Sequence, residues 1–537
     1  MNLLFHQLLT TASEAGPDRK ALSYQGKSLT YAGLNHAVVS VAAGMKDHGL
    51  LKGDRVAVYL PKQEETVIAF FAISQAGGIF VPVNPVLKSR QVAHILTDCG
   101  ASILITSADR VKFLAEIIPG SAYLKQIVII DAEESTSQDT IQGLSIAQEV
   151  LNWEYLLQSN STEHPDIKAD DGVAILYTSG STGKPKGVIV SHQNLVIGSE
   201  SVCNFLNLNI NDRILALLPF SFDYGLNQLT SAIRSGACLV LMNYLLPQEV
   251  PQLVTRESIT GLAAVPSLWA QLVNLEWPES AQHSLRYITS SGGTMPQPVL
   301  AALQQTLPQT NIFLMYGLTE AFRSTYLPPE ELTRRPTSIG KAIPNARLAV
   351  VRPDGSTCRP NEAGELVHSG PLVAKGYWNN PEKTAKHFKP LPGGSSHIND
   401  SDIAVWSGDT VTMDEDGYLY FIGRKDDMIK TSGYRVSPTE VEEVIHETGL
   451  ASEVAAFGVP HPTLGQAIVV VVTTAVEAPN LAEKLLQACK NTLPSFMIPK
   501  HIELRHDIPK TPHGKVDRSR LARESQGLFV TETNKKP

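Results

Sequence analysis

Between residue 30 and about 350 the chain alternates short apolar runs with segments whose apolar positions recur every three to four residues. The runs Arg55 to Leu60, Ser102 to Thr106 and Val173 to Thr178 are short and continuous, as in strands buried on both faces. That alternation predicts βα units building largely parallel sheets. From about 345 to 425 the character changes to short strands and turns, with Asp354-Gly355, Gly393-Gly394 and Asp416-Gly417 marking tight connections, so a β-rich subdomain is expected. After Gly423-Arg424 it changes again. Helical spacing from Thr439 to Thr448, a Val-rich run from Ile468 to Thr473 and a second helical stretch near 481 to 492 predict a small α+β unit. The polar end from about Glu524 to Pro537 is expected to fray.

A chain of 537 residues exceeds what one hydrophobic core supports, so at least two compact units are required. With 43% apolar and 18% charged residues and a formal charge of -8, the chain offers no basic excess to attract nucleic acid phosphates. The five cysteines, Cys99, Cys203, Cys238, Cys358 and Cys489, are scattered and odd in number, which argues against a disulfide framework or a zinc site and for a reducing cytoplasm. The N-terminal stretch MNLLFHQLLTTASEAG lacks a basic region and a long apolar core; its spacing predicts a helix packed on a domain. Nothing approaches 20 consecutive apolar residues, and no membrane span is expected.

The strongest local signal is YTSGSTGKPKG, Tyr177 to Gly187, placed after the strand-like run ending at Leu176 and before a helical segment beginning near Ser191. Gly180, Gly183 and Gly187 let backbone N–H groups approach a polyphosphate. Thr178, Ser179, Ser181 and Thr182 add hydroxyls, and Lys184 and Lys186 add positive charge. The spacing is not that of a Walker P-loop, which needs four residues between its glycine and its Gly-Lys pair. A flexible Ser/Gly linker is the plainer alternative, and the apolar, periodic flanks argue against it.

In this motif and eight further segments, in order, the chain resembles the adenylate-forming superfamily of acyl-CoA synthetases, luciferases and the adenylation domains of nonribosomal peptide synthetases. The segments are LTYAGL (29 to 34), GDRVAVYLP (53 to 61), AGGIFVPVNP (76 to 85), YGLTE (316 to 320), GELVHSG (364 to 370), GYWNNPEKTA (376 to 385), WSGDTVTMDEDGYLYFIGRKDDMIKTSGYRV (406 to 436) and PKTPHGKVDR (509 to 518). The resemblance implies an α/β enzyme. Its large N-terminal domain, residues 1–425, would comprise two mostly parallel sheets flanked by helices plus a β-barrel-like subdomain, and a small mobile α+β C-terminal domain would span 426–537. It also implies an ATP-dependent, AMP-forming ligase that joins a carboxylic acid to a thiol.

The implied roles fall on numbered residues. Lys515 in PHGKV matches the catalytic lysine between carboxylate and α-phosphate; Thr319 would contact that phosphate and Glu320 would bind Mg2+. Tyr316 and Gly317, with Gly292, Gly293 and Thr294, match the segments around adenine. Asp409 and Arg424 match the ribose and phosphate contacts. Asp426 matches a hinge between domains, and Gly433 in TSGYR the tunnel for the thiol arm. Such a ligase runs two half-reactions by rotating its small domain: one conformer brings Lys515 to the α-phosphate, the other brings TSGYR to the thioester-forming face.

For the acid, Asp223 in LPFSFDYGLNQ falls where amino-acid-activating members pair an aspartate with the substrate ammonium. Tyr224, Asn227, Trp269, Ile288, Ser290, Met315, Arg323 and Ser324 are the other candidate pocket residues. The set is neither wide nor uniformly apolar, favouring a small amino or otherwise polar acid, with proline among the candidates, over a long fatty acid. Stand-alone prolyl-carrier-protein ligases and exosortase-associated acyl ligases both look similar, including the polar FDYG segment, and the YGLTEAFRSTYLPP stretch looks closer to the second. Arg323 meets either a second carboxylate or a loop. The short tail after Lys515 leaves no room for a carrier domain, so the acceptor is expected to be coenzyme A or a separate carrier protein. A fatty or aryl acyl-CoA synthetase, an inactive nucleotide-binding relative and a luciferase-like oxidase stay open as alternatives.

Overall fold

The computed structural model describes residues 3–131, 148–159, 165–178, 184–391, 402–424, 428–473, 480–510 and 516–529. Its frame is two sheets with helices on and between them. In the nine-stranded sheet the strands Lys20–Tyr24, Cys238–Leu241, Arg213–Ala216, Gly261–Ala264, Tyr287–Ser290 and Asn311–Tyr316 run parallel, with antiparallel strands at both edges. In the eight-stranded sheet Gly172–Thr178, Ile79–Pro82, Arg55–Val58, Ile103–Thr106, Gln126–Ile129 and Glu149–Asn152 run parallel. The strands Ile79–Pro82, Ile103–Thr106, Cys238–Leu241, Gly261–Ala264 and Tyr287–Ser290 are buried at every position, because helices cover both faces of each sheet.

The largest core lies between the sheets. There Val56 and Val58 of one sheet and Ile214 and Ala216 of the other pack on helices Tyr31–Asp47, Glu64–Gln75, His192–Leu206 and Asp223–Ser235. Local capping starts two of them: Thr30 accepts from Gly33 N at 3.1 Å, and Ser191 and Asn194 cap one another reciprocally. Separate apolar clusters cover the outer faces, making five alternating layers of helix and sheet.

The β-rich stretch is a five-stranded antiparallel sheet built on the long strand Ile403–Met413, with apolar clusters on either side. Gly355 and Gly417 adopt φ of 89° and 82° in its turns, as the Asp-Gly pairs require; Gly393-Gly394 lies outside the described residues. The C-terminal unit is α+β: strands Ile429–Thr431, Tyr434–Val436, Glu453–His461, Gly465–Thr473 and His501–Leu504 form one sheet. Helices Pro438–His446 and Leu481–Thr492 cover one face. On the other face Ile508, Val516 and Leu521 pack on Ala455, Phe457 and Val459.

The helix expected near Ser191 begins at His192, and the strand Lys186–Ser191, which pairs antiparallel with Gly172–Thr178, leads into it from the end of the glycine motif. One expectation needs correction. The end of the chain is held further than expected: Ser525 is buried and Phe529 packs against the outer cluster. No helix among the described residues is long and apolar enough to cross a membrane.

Candidate active site

A large cavity opens at the carboxyl ends of the parallel strands of both sheets, where the chain leaves each strand and exposes backbone and polar side chains. The eight-stranded sheet contributes Pro82, Tyr177 and Thr178; the nine-stranded sheet contributes Asp223, Tyr224, Gly292, Gly293, Thr294, Met315, Tyr316, Gly317 and Thr319. Asp409 enters from the antiparallel sheet, and Lys430, Gly433, Tyr434 and Arg435 from the C-terminal hairpin.

The hairpin geometry decides what the glycine motif presents. Thr178 ends one strand on the cavity wall and Lys186 starts the next directly opposite it. Ser179, Gly180, Ser181, Thr182 and Gly183 lie outside the described residues, and Lys184 is exposed. The Lys186 ammonium turns inward. It donates to Glu320 Oε1 at 3.0 Å and to the Tyr377 hydroxyl at 2.8 Å, and the Tyr377 hydroxyl donates to the same oxygen at 2.7 Å. Burial pulls the ammonium down to about 8, against the pull of Glu320. Burial also opposes ionisation of Glu320, but Lys186, Arg435 and Tyr377 outweigh it and hold the carboxyl well below the usual carboxylate range. The segment GYWNNPEKTA by itself gives Tyr377 no role. Tyr377 arrives because Gly376–Tyr377 adds a strand beside Lys186–Ser191, a pairing no local pattern announces.

Glu320 follows the end of strand Asn311–Tyr316 in a short 3₁₀ turn, Thr319–Ala321. No group of three His, Cys, Asp or Glu side chains among the described residues would hold a metal unaided. Glu320 supplies one ionised oxygen donor, which fits Mg2+ when phosphates and water complete its shell. The Tyr316 hydroxyl donates to Asp409 Oδ2, tying the strand end to the antiparallel sheet. Asp409 is 1% exposed, and Arg424 stands opposite it in the strand ladder.

Of the candidate acid-pocket residues, Asp223, Tyr224, Met315 and Arg323 line the cavity. Asn227, Trp269, Ile288, Ser290 and Ser324 are buried behind it: Trp269 donates to the Thr289 carbonyl and Ser324 bonds His368. Asp223 begins a helix and accepts from Thr319 Oγ1 at 3.3 Å. Burial raises its pKa, with Arg323 pulling in the opposite sense.

The C-terminal hairpin closes the cavity from the far side. Gly433 has φ of 81°, and a Cβ there would stand 2.8 Å from Val265 Cγ1. Tyr434 stacks on Phe496 with centroids 3.8 Å apart and receives a bond from Asn84. Arg90 pairs with Glu447 at 2.7 Å, and Lys88 donates to the carbonyls of Lys490 and Asn491, joining the two units beside the cavity. Asp426 and Lys515 lie outside the described residues. Val516, next to Lys515, packs on the sheet face opposite to the one that carries Ile429 and Val436 of the hairpin.

Comparison with known proteins agrees with this architecture. The profile of the AMP-binding enzyme family matches residues 9–378, and that of the AMP-binding enzyme C-terminal domain matches 440–515. A long-chain-fatty-acid–CoA ligase of Bacillus subtilis is 30% identical over 97% of this chain and 95% of its own. Two solved structures share the fold. An o-succinylbenzoate CoA synthetase of Bacillus subtilis has a TM-score of 0.80 and 24% identity, covering 96% of this chain and 98% of that one. An amide bond synthetase of Marinactinospora thermotolerans has a TM-score of 0.83 and 22% identity, covering 97% and 99%.

Proposed function

Because the chain belongs to the AMP-binding enzyme family, and is thereby an ATP-dependent, AMP-forming acid–thiol ligase, we propose that it activates a small amino acid and hands it to a phosphopantetheine thiol. In the first step a carboxylate oxygen bonds to the α-phosphorus of ATP and pyrophosphate leaves; in the second the thiol sulfur attacks the acyl carbon and AMP leaves.

In the first step two anions must meet, so cations have to converge on them. Lys515 bridges the carboxylate and α-phosphate, Thr319 contacts that phosphate, and the loop Thr178 to Lys186 cradles the polyphosphate. Glu320 would hold Mg2+, which offsets phosphate charge when bound. Tyr316, Gly317, Gly292, Gly293 and Thr294 surround adenine; Asp409 and Arg424 hold the ribose. Asp426 is the hinge between units 1–425 and 426–537, and Gly433 lines the path of the thiol arm. Coenzyme A and a separate carrier protein both present that arm, and a cytoplasmic location belongs to the same reading.

The observation that carries the amino-acid assignment is Asp223, a carboxylate 5% exposed on the cavity wall. A buried carboxylate is costly without full compensation; Arg323 offsets part of that cost without a hydrogen bond to it among the described residues, and a substrate ammonium would supply the rest. Proline is among the candidates. A second reading, a fatty or aryl acyl-CoA synthetase, draws support from the Bacillus subtilis relative's name. In that case Asp223 is incidental to the acid, its pKa raised by burial and its oxygen accepting from Thr319. ATP–pyrophosphate exchange over amino, fatty and aryl acids decides between them, followed by intact mass of coenzyme A and carrier proteins as acceptors. Equal turnover of an amino acid and its des-amino analogue would sink the amino-acid reading, and no ATP-dependent AMP release at all would sink the ligase.

A further inference from the structure

Arg323 is a cavity side chain whose guanidinium keeps donors without a protein partner among the described residues, although Asp223 is near enough for the two charges to interact. It is 1% exposed, yet it lines the cavity. Its guanidinium lies 4.6 Å from the centroid of the Tyr224 ring, and Nη1 donates to Ser291 Oγ at 3.3 Å. Nε and Nη2 are buried without a hydrogen-bond partner among the described residues. Desolvated donors on a charged group are expensive to leave unmade, so a site that carries them is built for an acceptor that arrives with the ligand.

The backbone holds the guanidinium in place at a cost. Phe322, directly before it, adopts φ of 54° and ψ of -46°, a conformation a bulky residue avoids. Its ring is fully buried against Gly198, where a Cβ would come within 2.5 Å of it. Gly317 leaves the room on the other side: a Cβ there would stand 3.3 Å from the Arg323 Cα.

Asp223 shares this wall. It accepts from Thr319 and has no hydrogen bond to Arg323 among the described residues, although the two charges feel one another. Together they line the wall with a carboxyl that Arg323 does not bond and with two guanidinium donors that have no protein partner among the described residues, which an alkyl or plain aryl chain would bury unsatisfied. We propose that Asp223 and Arg323 jointly select the acid. Besides the carboxylate that is activated, the substrate carries an amino group for Asp223 and a second sp² oxygen, of a carboxylate or an amide, for Nε and Nη2 of Arg323. This rests on the amino-acid reading above and narrows it to amino acids with an acceptor-bearing side chain, disfavouring proline.

The test is ATP–pyrophosphate exchange by the full chain with aspartate, glutamate, asparagine and glutamine (amine and second acceptor), leucine and proline (amine alone), succinate (second carboxylate alone) and octanoate (neither). Expected is a kcat/KM at least tenfold higher for one member of the first group than for any other acid. The acid against amide arms tell a carboxylate acceptor from a carboxamide. Arg323→Met should lower the ratio of that substrate to leucine at least 100-fold, with Arg323→Lys intermediate, and the wild-type ranking stands as a readout even if a variant fails to fold. Leucine, proline or octanoate ranking first would overturn the inference and leave the ligase intact. Succinate ranking first would remove the role of Asp223 and overturn the joint selection. No exchange with any acid would instead strike the ligase reading on which the inference stands.

Discussion

Gly433, on the C-terminal hairpin, lies so close to Val265 of the large domain that a Cβ on it would stand 2.8 Å from Cγ1 and 2.9 Å from Cγ2 of that valine. The contact brings the small unit against the mouth of the cavity, and only a residue without a side chain allows it at φ of 81°. Gly433→Ala should therefore hinder this domain arrangement. Pyrophosphate exchange is expected to stay within about threefold, while thioester formation falls by about 1–2 kcal/mol of barrier, the usual scale of overpacking. Adding Val265→Ala should restore part of the loss. Equal loss in both half-reactions would show that Gly433 does not serve the thiol step.

Removing the cation beside Glu320 tests the phosphate end of the cavity. Lys186→Met leaves a buried carboxylate with less compensation, so stability should fall by about 3 kcal/mol, measured by denaturant unfolding. Exchange should fall by about 3 kcal/mol, the scale for one preorganised electrostatic donor. Tyr377→Phe removes one hydrogen bond from the same oxygen and should cost about 1 kcal/mol in stability.

The Lys186 ammonium, brought down to about 8 by burial, sets a pH limb. Only the protonated form attracts phosphate, so kcat/KM for ATP should fall as pH rises through about 8. Lys186→Arg, charged across the accessible range, should lose that limb even if its absolute rate is lower. A limb unchanged in the variant would assign the titration elsewhere.

Glu440 on helix Pro438–His446 lines the cavity, and its carboxyl is pushed up to about 7 by burial and by Glu443, against the pull of Arg90 and a bond from Gln91. Between about 4.5 and 7 the folded state keeps a proton that the unfolded chain releases, so this group's contribution to stability declines as pH rises through that window. Glu440→Gln should therefore be more stable than the parent at pH 8, by about 2 kcal/mol, and nearly equal to it near pH 4.5. Thermal melts across the range check the sign, and a difference independent of pH would refute it.

Lys515→Ala should lose adenylation by about 2–4 kcal/mol and retain thioester formation from preformed adenylate. Asp426→Pro, by locking φ at the proposed hinge, should give the reverse pattern, near-normal adenylation with defective thiolation. Stopped assays of each half-reaction separate the two outcomes.

What the sequence by itself determined is local and ordered. The buried strands Arg55–Val58 and Ile103–Thr106 were legible because helices on both faces force continuous apolar runs. The turn glycines of Asp354-Gly355 and Asp416-Gly417 were legible because only glycine takes those angles cheaply. The strand Lys186–Ser191 was harder to read, since it is short and carries a polar start. Nor does local pattern say that Asn227, Trp269, Ser290 and Ser324 lie behind the cavity wall while Asp223 and Arg323 line it. These placements depend on contacts between segments far apart in the chain: Tyr377 reaches Glu320 through an added edge strand, and Gly433 reaches Val265 through the docking of a separate unit. Periodicity records which face of an element is buried, but not against what, and it is the partner across the cavity that gives a charged side chain its environment.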